Sequence, residues 1–237
     1  MIYTIAHKPV PYPLEPGTTH IQVGDAETFL PCRDDTGDNI AEWNPLYAEN
    51  TAIYWIWKND HDEYKGQMQY RRRLPLTQGI GEGFKVRTVA PLNVGNVWKQ
   101  YARYHSEKDL ATVENIIRQM LPEYSDSFDR YIRNGTRLYY SNGYLMRSED
   151  YDRWCHFLFG ILEMFRHCRW WESVEDVRKS VETDIRLRHR NGVRGLRYQM
   201  QVFGFLSERL WTLWVQHNFS ESEIQTDPYR LMEDTGI

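Results

Sequence analysis

Residues 33–73 concentrate the side chains best suited to chemistry in this chain. Asp34, Asp35, Asp38 and Asn39 crowd a loop around Gly37. Carboxylates in such a loop could bind a metal, accept hydrogen bonds from sugar hydroxyls, or only build turns. The spacing does not match a calcium loop, which needs a terminal bidentate glutamate. Further on, Gln69-Tyr70-Arg71-Arg72-Arg73 closes an alternating segment. Guanidinium forks bind phosphate oxygens bidentately, so arginines at a strand tip suit a diphosphate; a solvated turn after an edge strand is the alternative. His7-Lys8 ends another apolar run in the same way. In open α/β sheets ligands bind outside the carboxyl ends of the strands, which makes both strand tips candidate binding positions. Asp60-His61-Asp62 fits a D-x-D pattern but precedes its strand, at the wrong end for such a site, and reads as a surface turn. Glu208 and Arg209 sit inside an otherwise apolar helix, either facing a cleft or forming a buried structural pair. Arg186, Arg188, Arg190, Arg194 and Arg197, beside His189, form a basic run. It could contact anionic lipid or a pyrophosphate-linked acceptor, against the plainer reading of a solvated helix end.

The elements that must position these groups follow from periodicity. Ile2 to Ala6 and His20 to Val23 read as short strands, separated by a proline-rich extended loop. Asn44-Pro45 starts a helix, with Asn as cap and Pro at the first turn, running to about Lys58. Tyr64 to Leu74 alternates as a strand with one buried face, its end carrying the arginines. Val86 to Leu92, and Leu138 to Met146 around Asn142-Gly143, read as further strands. Ser106-Glu107-Lys108-Asp109 resembles a capping box and opens a helix that Pro122 stops. Ser148 caps the strongest helix, whose period holds from Tyr151 to Phe165. A charged helix from Ser173 to about Arg190, a helix from Val202 to His217, and a polar tail complete the chain. Alternation of strands and helices early, then helices, predicts an α/β domain with a helix-rich C-terminal part.

Composition narrows the class. The 237 residues suffice for one large domain with its own core. A net charge of −4 gives no electrostatic case for nucleic acid, and the aromatic neighbours that single-strand binding needs are sparse around the arginine run. Cys32, Cys155 and Cys168 are odd in number and widely spaced, which predicts neither a disulfide framework nor a zinc site and fits a reducing cytoplasm. The first residues lack signal-peptide features, and no apolar stretch approaches a membrane span.

Read together, several of these segments resemble the bacterial capsular and exopolysaccharide glycosyltransferases grouped as domain of unknown function 4422. The matching residues are His7-Lys8, Ile21-Gln22-Val23-Gly24, the block Asp34 to Ile40, Asn44-Pro45, and Glu49-Asn50-Thr51. They continue with Tyr54 to Asn59, Gly66, and Tyr70-Arg71-Arg72. Later matches are His105 with Lys108-Asp109-Leu110, Asn142, Leu158-Phe159, and Gly204 to Arg209. Two departures stand out: Gln69 replaces a family histidine, and Arg73-Leu74 replaces an aromatic pair. Glutamine can still hydrogen-bond a hydroxyl or a phosphate.

The resemblance implies a GT-A-like, Rossmann-related mixed sheet flanked by helices, as one domain over 1–237. Its parts would be a nucleotide-sugar-binding part (1–100), a helix-rich acceptor-side part (101–220) and a tail (221–237). It implies transfer of a hexosyl unit, with galactosyl and galactofuranosyl as options, from a UDP-linked donor. The acceptor would be a growing capsular polysaccharide, exopolysaccharide or O-antigen, presented as a saccharide or lipid-linked oligosaccharide. His7, Lys8, Gln22 and Gly24 would hold the nucleotide, and Asp34, Asp38 and Asn39 would meet ribose or sugar hydroxyls. Gln69, Tyr70, Arg71, Arg72 and Asn142 would complete the donor site. No cofactor is expected. A divalent metal, Mn or Mg, is disfavoured because the relevant strand end carries arginines rather than a D-x-D. An inverting reaction needs a carboxylate base; Glu208 is the first candidate and Asp35 the second. The expected setting is the cytoplasm, with peripheral contact at the inner membrane as an option and no nucleic-acid partner. The rival expectation is a catalytically inactive nucleotide-sugar-binding partner in a polysaccharide-synthesis complex.

Overall fold

A computed structural model describes residues 1–10, 13–184 and 195–232. The strands are β1 (Ile2–Ala6), β2 (Thr19–Gln22), β3 (Cys32–Arg33), β4 (Tyr64–Gln69), β5 (Arg72–Arg73) and β6 (Val86–Val89). They continue with β7 (Leu92–Asn93), β8 (Arg137–Leu138), β9 (Tyr144–Arg147), β10 (Ile224–Asp227) and β11 (Arg230–Leu231). The helices are α1 (Asn44–Tyr47), α2 (Asn50–Asn59), α3 (Val97–Tyr104), α4 (Glu107–Met120) and α5 (Ser125–Phe128). After them come α6 (Ser148–Cys168), α7 (Val174–Thr183), α8 (Leu196–Met200) and α9 (Val202–Asn218).

The main sheet runs β10-β6-β9-β4-β1-β2-β3, with β5 and β11 attached beside β4. Along that path only β9 is antiparallel to its neighbours. The chain order reverses direction between β1 and β4, which are parallel partners, Ile2 opposite Gly66 and Ile5 opposite Gln69. Gly66 is required there, because a Cβ would stand 2.8 Å from the Tyr144 carbonyl oxygen on β9. The structure is thus a mixed, mostly parallel α/β sheet flanked by helices, as the alternation of elements predicts.

Two helices fix the sheet to the site. In α6, Tyr151, Trp154, Cys155, Leu158, Ile161, Leu162 and Phe165 are buried, the spacing of one helical face. Glu149 and Asp150 open it and Arg166 and His167 close it, matching the helix dipole. In α9 nearly every residue from Val202 to Val215 is buried, so this helix runs through the core. Gly204 lets α9 approach the turn after α1: a Cβ there would lie 3.2 Å from the Ala48 Cβ.

Local geometry departs from periodicity in several places. The single helix expected from Asn44 to Lys58 breaks at Ala48, whose φ of 51° and ψ of −130° end α1. The strand expected over Tyr64 to Leu74 stops at Gln69 and turns at Tyr70-Arg71 into antiparallel β5. Lys65 through Met68 are all buried, because β4 lies mid-sheet and is covered on both faces, so alternation there does not mean one wet face. Neither Ser106 nor Ser148 makes a side-chain cap; Ser148 is already the first helical residue. Part of the segment read as a polar tail forms β10, parallel to β6, held by Arg87 to Asp227 at 2.7 Å.

Candidate functional site

A cavity of about 830 Å³ opens outside the carboxyl ends of β1, β2 and β4. It therefore sits where the strand order reverses, the position at which open α/β sheets bind ligands. Ile5 and His7 come from β1 and its end, Val23 from the end of β2, and Gln69 to Arg72 from the β4–β5 turn. The His7 ring meets the Tyr70 ring edge-on at 5.4 Å, and the Arg71 guanidinium lies 5.4 Å from the Tyr70 ring. Arg72 Nη1 donates to Gln69 Oε1 at 2.7 Å, and Gln69 Nε2 donates to Glu49 Oε1 at 2.9 Å. Asn142 Nδ2 donates to the same Glu49 oxygen at 3.0 Å and to Ser207 Oγ at 2.8 Å. Gln69 thus joins a guanidinium and a carboxylate that line one cavity.

The opposite wall is built by α9. Glu208 Oε2 accepts from Arg209 Nη1 at 2.8 Å, and Glu208 Oε1 accepts from the Ser141 backbone N–H at 2.9 Å. Arg209 also donates to the Phe205 carbonyl at 2.9 Å and to the Gln100 side chain, with its guanidinium 5.2 Å from the Tyr101 ring. The pair is buried and lines the cavity, so both sequence readings of Glu208-Arg209 hold at once. An aromatic wall completes the space: the His105 ring lies 4.1 Å from Phe205 and 5.3 Å from Tyr198, beside Tyr104 and Tyr140.

Burial and a neighbouring charge act on Glu49. Burial first, and the Glu208 carboxylate second, push the Glu49 carboxyl above its ordinary range. A backbone N–H and the Asn142 and Gln69 amides pull the other way.

Six residues expected at the site line the cavity: His7, Gln69, Tyr70, Arg71, Arg72 and Glu208. Asn142 is buried behind its floor and orients Glu49. The others are not brought to it. Gln22 is buried, and its amide accepts from the Phe29 and Leu30 N–H groups and donates to the Ala26 and Glu27 carbonyls, shaping the loop after β2. Gly24 turns that loop with φ +84° beside Asn44, and Lys8, past the end of β1, is exposed and is not part of the cavity lining. Asp35 pairs with Arg33 at 2.8 Å. Asp38 accepts from Tyr54, and Asn39 bonds within its own turn. Asn59 locks the same loop through the Asp38 backbone. Asp60-His61-Asp62 lies before β4, at the sheet end away from the cavity. Arg186, Arg188, His189, Arg190 and Arg194 lie outside the described residues, whereas Arg197 lines the cavity. Glu49, His105 and Arg209 were each visible inside matched motifs. Gln100, Tyr104, Tyr140 and Tyr198 carried no signal, because they converge only through the fold.

Asp34 is 1% exposed, beside Thr51 and Cys32, and burial raises its carboxyl to about 6. A carboxyl raised on folding binds its proton more tightly in the native state, so its ionisation opposes folding. Stability is therefore expected to fall as pH rises from about 4 to about 6, by up to about 3 kcal/mol on this group's account. Urea unfolding across that window checks it: Asp34→Asn should flatten the slope, and an unchanged slope would refute the assignment.

Among the described residues, no three His, Cys, Asp or Glu side chains cluster as metal ligands. The β4 tip, where a metal-binding acid pair would stand, presents the Gln69 amide and the Arg71 and Arg72 guanidinium groups, and the amide oxygen already accepts from Arg72. Among the described residues no helix is long and apolar enough to cross a membrane.

Comparison with known proteins adds three findings. The family described as domain of unknown function (DUF4422) matches residues 1–89 and 84–181. The apo structure of WbbM, a bifunctional glycosyltransferase, superimposes with a TM-score of 0.75 at 23% identity, covering 97% of this chain and 44% of that one. The chain thus shares that fold while spanning less than half of that protein's length. No curated protein matches the sequence.

Proposed function

The chain belongs to the DUF4422 family, and from that premise we propose that it is a glycosyltransferase, moving a hexosyl unit from a nucleotide sugar to a saccharide acceptor. The donor is read as UDP-linked, and the acceptor as a growing capsular polysaccharide, exopolysaccharide or O-antigen chain, free or lipid-linked. The observation that carries this reading is the cavity at the β1/β4 reversal, with Arg71 and Arg72 at its strand-tip wall. WbbM, whose fold it shares, is itself described as a glycosyltransferase.

The residues divide the work by position. Arg71 and Arg72 neutralise the departing diphosphate, the place where charge grows most in the transition state. His7 and Tyr70 border the same end of the cavity. The aromatic wall of Tyr104, Tyr140 and Tyr198 offers ring faces to a sugar or a base.

Incubation with a panel of nucleotide sugars and simple or lipid-linked acceptors tests the proposal. Product formation separates an enzyme from an inactive nucleotide-sugar-binding partner, which would show only a thermal shift. Because guanidinium groups occupy the strand tip, turnover is expected to survive excess chelator. Complete loss, restored by Mn or Mg, would overturn the metal-independent form of the mechanism.

A further inference from the structure

We propose that Glu49 is the catalytic base of this transfer, taking the proton from the acceptor hydroxyl as it attacks the anomeric carbon. The inference rests on the glycosyltransferase reading and names a residue that reading leaves open. Glu49 and Glu208 both line the cavity, and their surroundings differ in kind. Glu208 is compensated: one oxygen meets the Arg209 guanidinium at 2.8 Å and the other the Ser141 N–H at 2.9 Å. That carboxylate is built into the wall, with both oxygens already engaged by protein donors. Glu49 is held instead by neutral amides, Gln69 Nε2 at 2.9 Å and Asn142 Nδ2 at 3.0 Å, both on Oε1. Amides orient a carboxylate without cancelling its charge. Two carboxylates in one cavity with divergent environments take divergent roles.

The backbone points to the same residue. Ala48, immediately before Glu49, has φ 51° and ψ −130°, a conformation strained for any residue with a Cβ. The strain is clamped from several sides. The Ala48 N–H donates to the Asn44 carbonyl at 2.9 Å, and its own carbonyl accepts from Asn44 Nδ2 at 2.9 Å and Thr51 Oγ1 at 3.1 Å. Gly204 admits α9 against the Ala48 Cβ. A costly conformation that several contacts maintain, at the edge of a cavity, sets the direction of the next side chain. Asn142 and Asn50 both donate to Ser207 Oγ, so the Glu49 turn is tied to the α9 wall as one unit.

The step balances as a direct displacement. The acceptor oxygen forms a bond to the anomeric carbon, while the bond from that carbon to the β-phosphate oxygen breaks. Its electron pair leaves with the diphosphate beside Arg71 and Arg72, and the hydroxyl proton passes to the Glu49 carboxylate.

The test begins with the donor and acceptor that the wild-type protein uses. Absence of any transfer by wild type would defeat the glycosyltransferase reading itself, independently of the variants. Given transfer, Glu49→Gln is expected to lower kcat by about 10²- to 10⁴-fold. Binding of the released nucleoside diphosphate and the melting temperature should stay at wild-type values. Retention of wild-type kcat in Glu49→Gln would overturn the proposal. So would an equal loss of nucleoside diphosphate binding, which would mark a structural role. Should that variant not fold, Glu49→Asp serves: a carboxylate drawn back by one methylene is expected to cost about 10²-fold in kcat. Wild-type turnover in Glu49→Asp would equally overturn it.

Discussion

Arg72→Ala is expected to lower kcat/KM for sugar transfer by about 10²- to 10³-fold, some 3–4 kcal/mol of transition-state stabilisation. The magnitude follows from preorganisation. Arg72 is half-buried, and Gln69 Oε1 holds its guanidinium at 2.7 Å before any substrate arrives. A donor fixed in advance pays no reorganisation as diphosphate charge develops, and a partly desolvated site strengthens its field. Arg71, exposed on the turn itself, is expected to contribute less. Arg72→Lys should recover only part of the loss, because an ammonium keeps the charge and gives up the bidentate fork. Steady-state kinetics with saturating acceptor decides the matter. A loss confined to KM would assign Arg72 to ground-state donor binding, and wild-type kinetics in Arg72→Ala would remove the arginines from the mechanism.

The same pair shows what the sequence made legible. Arg71 and Arg72 are readable because arginines closing an alternating strand mark the carboxyl edge of a sheet, and the parallel β1–β4 pairing then brings them to the cavity. His7 and Glu208 were readable for related reasons, one at a strand end and one as a charge inside an apolar helix. The acidic loop misled because carboxylates near glycine serve turns as well as ligands. Here Asp35 goes to Arg33 and Asp38 to Tyr54, so the loop spends its polarity on itself. Glu49 falls in a matched motif, but its direction into the cavity is not legible, because it depends on the positive φ of Ala48, and alanine gives no hint of such a conformation. The aromatic wall as a wall is illegible for another reason: His105 and Phe205 fall in matched motifs, but Tyr104 and His105 lie far along the chain from Tyr198 and Phe205 and meet only after α3, α8 and α9 pack. Strand β10 is not legible in the sequence, because a short polar edge strand lacks any apolar period.

Trp211→Ala is expected to produce the largest loss of stability, about 3–5 kcal/mol, by removing a buried aromatic side chain. Trp211 is fully buried one turn beyond Glu208 on α9. Its ring stacks on Tyr144 of β9 at 4.2 Å and meets Trp154 of α6 edge-on at 5.1 Å. Its Nε1 donates to Thr88 Oγ1 on β6 at 3.2 Å, and that hydroxyl donates in turn to the Gly143 carbonyl at 2.8 Å. One side chain therefore joins the helix that carries the Glu208–Arg209 wall to two strands and to the principal helix behind them. For a protein of this size each kcal/mol moves the melting temperature by about 2–4 °C, so a drop of roughly 10 °C is expected. Trp211→Phe separates packing from hydrogen bonding: it keeps a stacked ring and should cost only about 1–2 kcal/mol, near the value of one hydrogen bond with a small void. Calorimetry on both variants checks the contrast, and equal melting temperatures would show that α9 is held in place by other contacts. Because α9 also ties down the Glu49 turn through Ser207, Asn50 and Asn142, kcat of Trp211→Ala measured well below its melting temperature should fall further than that of Trp211→Phe. A misplacement of about 1 Å at a reacting group costs on the order of 10²-fold in rate, so the core beneath the cavity and the chemistry within it are coupled through one rigid helix.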